Sequence, residues 1–257
     1  MPPDFSSQFR SSFRQWWRET ARAKGVTGAT SLLLQELWGF LRDSTPERRR
    51  QRYGDMEYDW DERVNTTSGT VDWRTRLLGI FHSPYQPTDP ALFREMMAAL
   101  PIDFREFTFI DIGSGKGRTL LLASDYPFRR IVGVELIKEL HRSAEENIAA
   151  FLSRKTAQYP ALIESVCMDA SEFPFPETPL LVYLFNPLPE ARLRRTLQNL
   201  ARSWESKPRP IWIVYHNPLL ERVLAESSTF VKAVGATQYS VFRSVSGLLS
   251  SNTTESR

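Results

Sequence analysis

Cysteine is almost absent from this chain of 257 residues: Cys167 stands alone. It has no partner for an internal disulfide, which excludes a small disulfide-stapled secreted domain and suits a reducing, cytoplasmic setting. Histidine is nearly as scarce, with only His82, His141 and His216. With a single cysteine beside them, these are too few to suggest a tetrahedral structural zinc site, so no metal is expected. No stretch approaches the roughly 18 consecutive apolar residues that span a bilayer. The longest apolar run, residues 32–41, is broken by Gln35 and Glu36. Arg10, Arg14 and Arg18 interrupt the region where a secretory signal needs an apolar core, although a Ser/Arg-rich, acid-poor start is compatible with an organellar transit peptide. Glycine is outnumbered by proline, 12 to 17, and neither is periodic, which excludes a collagen-like or low-complexity chain. The net charge of +3 is too small by itself to argue for nucleic acid. What remains is ordinary: 41% hydrophobic and 25% charged residues, enough for a sizeable core, in a length that allows one large domain or one domain with an appendage.

The character of the chain changes near residue 100. Before it lie Arg-, Trp- and Phe-rich segments that read as helices and loops. Phe5, Phe9, Phe13 and Trp17 recur every four residues, and Arg10, Arg14, Arg18 and Arg22 follow at the same interval. On a helix these become an aromatic stripe beside a basic one. A second helix is expected over 32–41 with Ser31 as its cap. A third is expected to start at Thr45-Pro46-Glu47, leading into the basic run 48–52. Asp55, Glu57, Asp59, Asp61 and Glu62, with Tyr53, Tyr58 and Trp60, read as an acidic aromatic loop that pairs with that basic run. Short helices near 71–80 and 89–100 follow. Beyond residue 100, short β-rich apolar runs alternate with helical patterns, as βαβ units require. Strands are expected at 107–112, 131–135, 162–167, 180–185, 211–215, 229–234 and 238–242, with helices at 116–124, 137–153, 190–204 and 218–226. The last two strands are joined too briefly for a helix and so form a hairpin. The expected fold is α/β, with a seven-stranded, mainly parallel sheet that includes one antiparallel strand. The Ser/Thr-rich tail from 244 to 257 has little to bury and is expected to fray.

Asp111-Ile112-Gly113-Ser114-Gly115-Lys116-Gly117-Arg118-Thr119 lies between an expected strand and an expected helix. Glycines in such a turn let the backbone bend sharply and let a ligand come close. A phosphate-binding P-loop fails twice here: Ile110 stands where its first glycine belongs, and Gly117 follows the lysine. A nicotinamide-binding fingerprint fails once, because Arg118 occupies its third glycine position. The spacing found is acid-x-Gly-x-Gly-x-Gly. Acidic residues also close the next two strands, Glu135 in Val132-Gly133-Val134-Glu135 and Asp169 in Cys167-Met168-Asp169-Ala170. Asn186-Pro187 closes the fourth strand, at the edge where open α/β sheets take ligands. Any one of these acids alone reads equally well as a solvated turn or cap; the ordered set at successive strand ends is more specific.

With these residues in view, positions 84–242 resemble a class I methyltransferase dependent on S-adenosylmethionine (SAM). The glycine loop with Gly133-Val134-Glu135-Leu136, together with Tyr85-Gln86-Pro87-Thr88 and Val64-Asn65-Thr66-Thr67-Ser68-Gly69, resembles a bacterial group of such enzymes with largely unassigned substrates. The loop is also similar to that of Dot1-type histone-lysine methyltransferases. The resemblance implies a Rossmann-like domain over 89–243, a helical N-terminal extension or lid over 1–88, and SAM as cofactor. It implies that Asp111 meets the cofactor's ammonium and that Gly113, Ser114, Gly115, Lys116 and Gly117 line its methionine and ribose. Glu135 then takes the ribose hydroxyls, Asp169 and Ala170 flank the adenine, and Tyr85 and Thr88 approach from upstream. Glu135 is expected outside the core, as a strand-end carboxylate.

On the acceptor side Asn186 is the implied catalytic residue. Amino-methylating relatives carry Asn/Asp-Pro-Pro-aromatic, whereas this chain has Asn186-Pro187-Leu188-Pro189, without the second proline or the stacking aromatic. That disfavours a flipped nucleobase and favours a small molecule or a protein as acceptor; it also suggests, as an alternative, a SAM-binding sensor or accessory subunit without catalysis. Tyr183 and Phe185 read as core. His216 reads either as a base at the mouth of the site or as a plain polar strand-end residue. The amphipathic N-terminal helix needs a surface to cover it: the chain's own domain, a second subunit or a membrane.

Overall fold

The computed structural model describes residues 5–43, 56–66, 87–154, 162–185 and 188–245. The chain divides into two compact units, one formed by residues 1–61 and 67–86, the other by 62–66 and 87–257. The helix start at Thr45, the basic run 48–52, the helix near 71–80 and the tail beyond residue 245 lie outside the described residues.

In the first unit, α1 runs over Phe5–Asp43 and bends at Gly25, whose φ of 73° and ψ of 169° interrupt the helix. The four-residue spacing acts as expected: Phe13 and Trp17 stack with ring centroids 5.9 Å apart, and Arg10, Arg14, Arg18 and Arg22 are exposed. The break, however, falls at Gly25 and not at Ser31, which lies inside the helix. Glycine is the residue here that escapes helical φ and ψ most cheaply, whereas Ser31 precedes a leucine run that prolongs the helix. The acidic aromatic segment is likewise helical, as α2 over Met56–Glu62. Its acids and aromatics are good enough helix formers that charge density alone was a poor guide to a loop.

In the second unit, α3 (Pro90–Ala98) starts on Asp89, whose side chain accepts from Leu92 N–H at 2.9 Å, with proline at the first helical turn. Then follow β1 (Thr108–Ile112), α4 (Arg118–Ala123), β2 (Arg130–Glu135), α5 (Lys138–Leu152), β3 (Leu162–Cys167) and β4 (Leu180–Phe185). The chain continues with α6 (Glu190–Ser206), β5 (Ile211–His216), α7 (Glu221–Ala225), β6 (Phe230–Gly235) and β7 (Tyr239–Ser244). The seven strands lie in the order β3-β2-β1-β4-β5-β7-β6, all parallel except β7, which runs antiparallel to β5 and β6. This is a Rossmann-like sheet. Its strand order reverses between β1 and β4, which are directly paired, so a crevice opens at their carboxyl ends.

Strand alternation sorts the side chains between two faces. Ile110, Ile112, Val132, Val134, Val182, Leu184 and Ile213 join one core with Leu193, Leu197 and Leu200 of α6. The spacing of those leucines by four and three residues gives α6 its apolar stripe, and each buried leucine contributes about 1.5–3 kcal/mol. On the other face Phe109 and Tyr183 pack edge-on against Phe93 of α3 at 6.1 and 5.9 Å. Asp111 and Tyr183 are Cα partners across β1 and β4, and Phe185 and His216 across β4 and β5. Alternation therefore places Asp111, Tyr183, Phe185 and His216 on one face.

Candidate functional site

The glycine loop leaves β1 through three residues in the left-handed region: Gly113 (φ 76°), Gly115 (φ 56°) and Gly117 (φ 84°). Any other residue would strain this path. Gly113 N–H donates to Val134 O at 2.8 Å, which holds the loop against β2. Gly133 makes room for it, since a Cβ there would stand 2.5 Å from Ser114 Oγ and 2.7 Å from Leu120 Cδ1.

Glu135 is the loop's main support. Its Oε2 accepts Gly115 N–H at 2.8 Å and its Oε1 accepts Ile137 N–H at 2.7 Å. It is only 6% exposed, so the expectation of a carboxylate outside the core is corrected: its oxygens are the acceptors that let the loop's N–H groups be buried. Burial raises its pKa, against the lowering effect of the backbone N–H groups it accepts. Asp111, at 2% exposure, is pushed up to about 8, chiefly by burial, with the nearby Glu135 adding to the rise and a hydrogen bond with Thr119 opposing it. Two buried carboxyls, neither in an ion pair among the described residues, therefore flank the loop.

A third acid, Asp169, caps the 3-10 turn Ala170–Glu172. Its Oδ1 accepts from both Ser171 N–H (2.9 Å) and Ser171 Oγ (2.8 Å), and Arg192 Nε lies 3.8 Å from Oδ2. Burial pulls its pKa upward, but the serine hydrogen bonds and Arg192 outweigh it and hold the carboxyl below its usual range. Ala170 beside it is buried. Asp111, Gly113–Gly117, Glu135, Asp169 and Ala170 thus line the carboxyl ends of β1, β2 and β3 and the turns beyond them. Ser114 Oγ is buried without a hydrogen-bond partner among the described residues. Thr88 is buried, with its hydroxyl 2.9 Å from Tyr183 Oη. Asn186 and Tyr85 lie outside the described residues.

Two features were not foreseen. One is a clasp on the glycine loop. Asn147 of α5 accepts Asn65 N–H at 2.8 Å and donates through Nδ2 to Asn65 O and Lys116 O, both at 3.0 Å. Lys116 Nζ donates to Asn65 Oδ1 at 3.3 Å and Arg118 Nε to Thr66 Oγ1 at 2.7 Å. The other is the partner of His216, a residue that the sequence offers as a base at the mouth or a plain strand-end group: its Nδ1 lies 2.8 Å from Tyr183 Oη. The clasp carries no local signal, because Asn65 and Asn147 stand 82 residues apart; strand alternation puts His216 on the Asp111 face but does not give its contact.

No known protein family matches the sequence, and no curated protein matches it. Solved structures do resemble the fold. The ribosomal protein L11 methylase from Lactobacillus delbrueckii subsp. bulgaricus is 15% identical, with a TM-score of 0.40, over 60% of this chain and 74% of that one. The PH0226 protein from Pyrococcus horikoshii OT3 is 16% identical, with a TM-score of 0.45, over 73% and 98%. An RNA methyltransferase from Salinibacter ruber, in complex with S-adenosyl-L-homocysteine, is 20% identical, with a TM-score of 0.38, over 61% and 91%.

Proposed function

We propose that the chain is a SAM-dependent methyltransferase whose cofactor site is the glycine loop with Asp111, Glu135 and Asp169. The observation that carries this reading is the set of carboxyls closing three successive strands around a loop of left-handed glycines. Such a donor set suits a ligand that is cationic and rich in hydroxyls, and repels a polyphosphate. A buried carboxyl with a raised pKa, as at Asp111, gains most from a cation placed against it.

SAM supplies a methyl on a sulfonium, and transfer forms the bond from nucleophile to methyl carbon as the carbon–sulfur bond breaks. On this reading Asp111 holds the cofactor's ammonium. Gly113, Ser114, Gly115, Lys116 and Gly117 lie along its methionine and ribose. Each Glu135 oxygen accepts one backbone N–H and keeps a lone pair for a ribose hydroxyl. Asp169 offers Oδ2 to the adenine amino group, beside Ala170, with Thr88 approaching from upstream. Asn186 orients the acceptor. With charges placed by the fold, positioning and exclusion of water do most of the work. The acceptor is a small molecule or a protein group.

Calorimetry with SAM and S-adenosylhomocysteine tests the reading. Saturable binding of both is expected, and transfer of labelled methyl from SAM into cell extract should follow. Absence of binding at millimolar ligand by folded protein overturns it. Binding without transfer to small molecules, protein or nucleic acid leaves a sensor in place of an enzyme.

A further inference from the structure

The carboxyl ends of β4 and β5 carry a polar chain of which the proposed cofactor site uses only Thr88. Thr88 Oγ1 lies 2.9 Å from Tyr183 Oη, which lies 2.8 Å from His216 Nδ1. The three residues come from the stretch before α3, from β4 and from β5, and all are buried. Phe185 stacks on the imidazole at 3.8 Å and 19°, and Phe93 packs edge-on against Tyr183. A position fixed from so many sides leaves the imidazole little freedom to turn.

Counting protons sets the direction of the chain. If Nδ1–H donated to Tyr183, Tyr183 would have to donate to Thr88. The buried Thr88 hydroxyl would then have no acceptor among the described residues, and a buried donor left unmet is costly. In the opposite sense Thr88 donates to Tyr183 and Tyr183 donates to Nδ1, so both buried hydroxyl protons are used. The imidazole's own proton then sits on Nε2, to which no described residue hydrogen-bonds.

We propose that His216 is an acceptor-binding residue: Tyr183 and Thr88 hold it as the Nε2–H tautomer, and Nε2–H is presented to a lone pair on the methyl acceptor. This rests on the methyltransferase reading above. The class of acceptor it fits carries a carbonyl oxygen or a ring nitrogen beside its nucleophile, as amides and heteroaromatic rings do. An ammonium offers no lone pair to such a donor. The charged groups facing the chain are Asp89, which favours the imidazolium, and Asp111, beside Tyr183. Burial prevails over Asp89 and brings the imidazole down to about 4, so it stays a neutral donor.

The chain has only three histidines, so a protein labelled with nitrogen-15 histidine gives a readable spectrum, with His216→Gln assigning the signal. At neutral pH the His216 signal should show a protonated Nε2 and a bare Nδ1, unchanged from pH 6 to 8. In Tyr183→Phe that tautomer preference should disappear. A proton on Nδ1, or an imidazolium forming in this range, overturns the assignment. Labelled-methyl incorporation into extract supplies the second arm. His216→Ala should lose at least about tenfold, the size of one hydrogen bond, while His216→Gln, which keeps an N–H donor, recovers most of it. Both variants should bind S-adenosylhomocysteine as the wild type does. Full incorporation by His216→Ala, or a parallel loss of S-adenosylhomocysteine binding, overturns the proposal. A wild type that binds no S-adenosylhomocysteine overturns the methyltransferase reading instead.

Discussion

The proposed role of Asp111 as the partner of the cofactor's ammonium predicts that binding releases a proton. In the free protein its carboxyl is pushed up to about 8, because burial disfavours the charged form and Glu135 lies nearby. At neutral pH it is therefore mostly protonated, whereas a bound ammonium requires it ionised. The sign follows directly: affinity rises with pH up to about 8 and levels off above. The ionised fraction in the free protein is about one hundredth at pH 6 and one half at pH 8, so affinity for S-adenosylhomocysteine should rise about fiftyfold between them. That is about 2.3 kcal/mol. Calorimetry in buffers of different ionisation heat should also register about 0.9 proton released per site at pH 7. Titration of the ligand's own amino group adds to the raw curve. Asp111→Asn isolates the protein's part, since only the Asp111 contribution disappears in that variant. If wild type and Asp111→Asn share the same pH slope, or the wild type is flat from pH 6 to 8, Asp111 is not the cation's partner and the reasoning fails.

Glu135→Gln keeps the shape of the side chain but has only one acceptor oxygen for the two N–H groups of Gly115 and Ile137, so one is left unmet. A loss of about 1–3 kcal/mol is expected in urea unfolding, together with weaker SAM binding. Gly133→Ala drives a methyl group into Ser114 Oγ and Leu120 Cδ1. It should cost about 1–3 kcal/mol in thermal unfolding and displace the glycine loop, visible as lower SAM affinity. Asn147→Ala removes three hydrogen bonds, two to Asn65 and one to Lys116 of the glycine loop. Amide exchange at Asn65 should accelerate, and stability should fall by about 1–3 kcal/mol.

The sheet was legible in the sequence because its strands are short apolar runs flanked by helical patterns. β3 and β4 fall on their expected bounds, and the other strand ends move by at most two residues. The antiparallel hairpin followed from a connection too short for a helix. Of the site, the loop and its acids were visible because left-handed turns demand glycine and the acids recur at strand ends. The supporting role of Glu135 was not, since an acceptor for backbone N–H groups looks, in sequence, like any strand-end acid. Tyr183 was read as core and is fully buried, but its hydroxyl joins Thr88 to His216, contacts that span 95 and 33 residues and leave no local pattern. The helix at Met56–Glu62 was missed because clustered charge suggested solvent-facing coil, while the backbone preferences of the same residues allowed a helix.

The short stretch 62–66 joins the second unit although the chain on either side of it belongs to the first. A chain cut to begin at residue 87 would keep every described strand and still lose Asn65, with which Asn147 makes two of its three hydrogen bonds. During synthesis the order is also awkward. Asn65 leaves the ribosome 82 residues before Asn147, roughly 4–16 s earlier at about 5–20 residues per second. Closing a loop of that length costs about 4 kcal/mol in chain entropy. The clasp on the glycine loop can therefore close only once α5 has been made, when β1 and β2 precede it in the chain and the other five strands are still to come. A polypeptide interrupted before α5 would carry Asp111, the three glycines and Glu135 but not Asn147, and so none of the three hydrogen bonds by which that side chain ties Asn65 to Lys116.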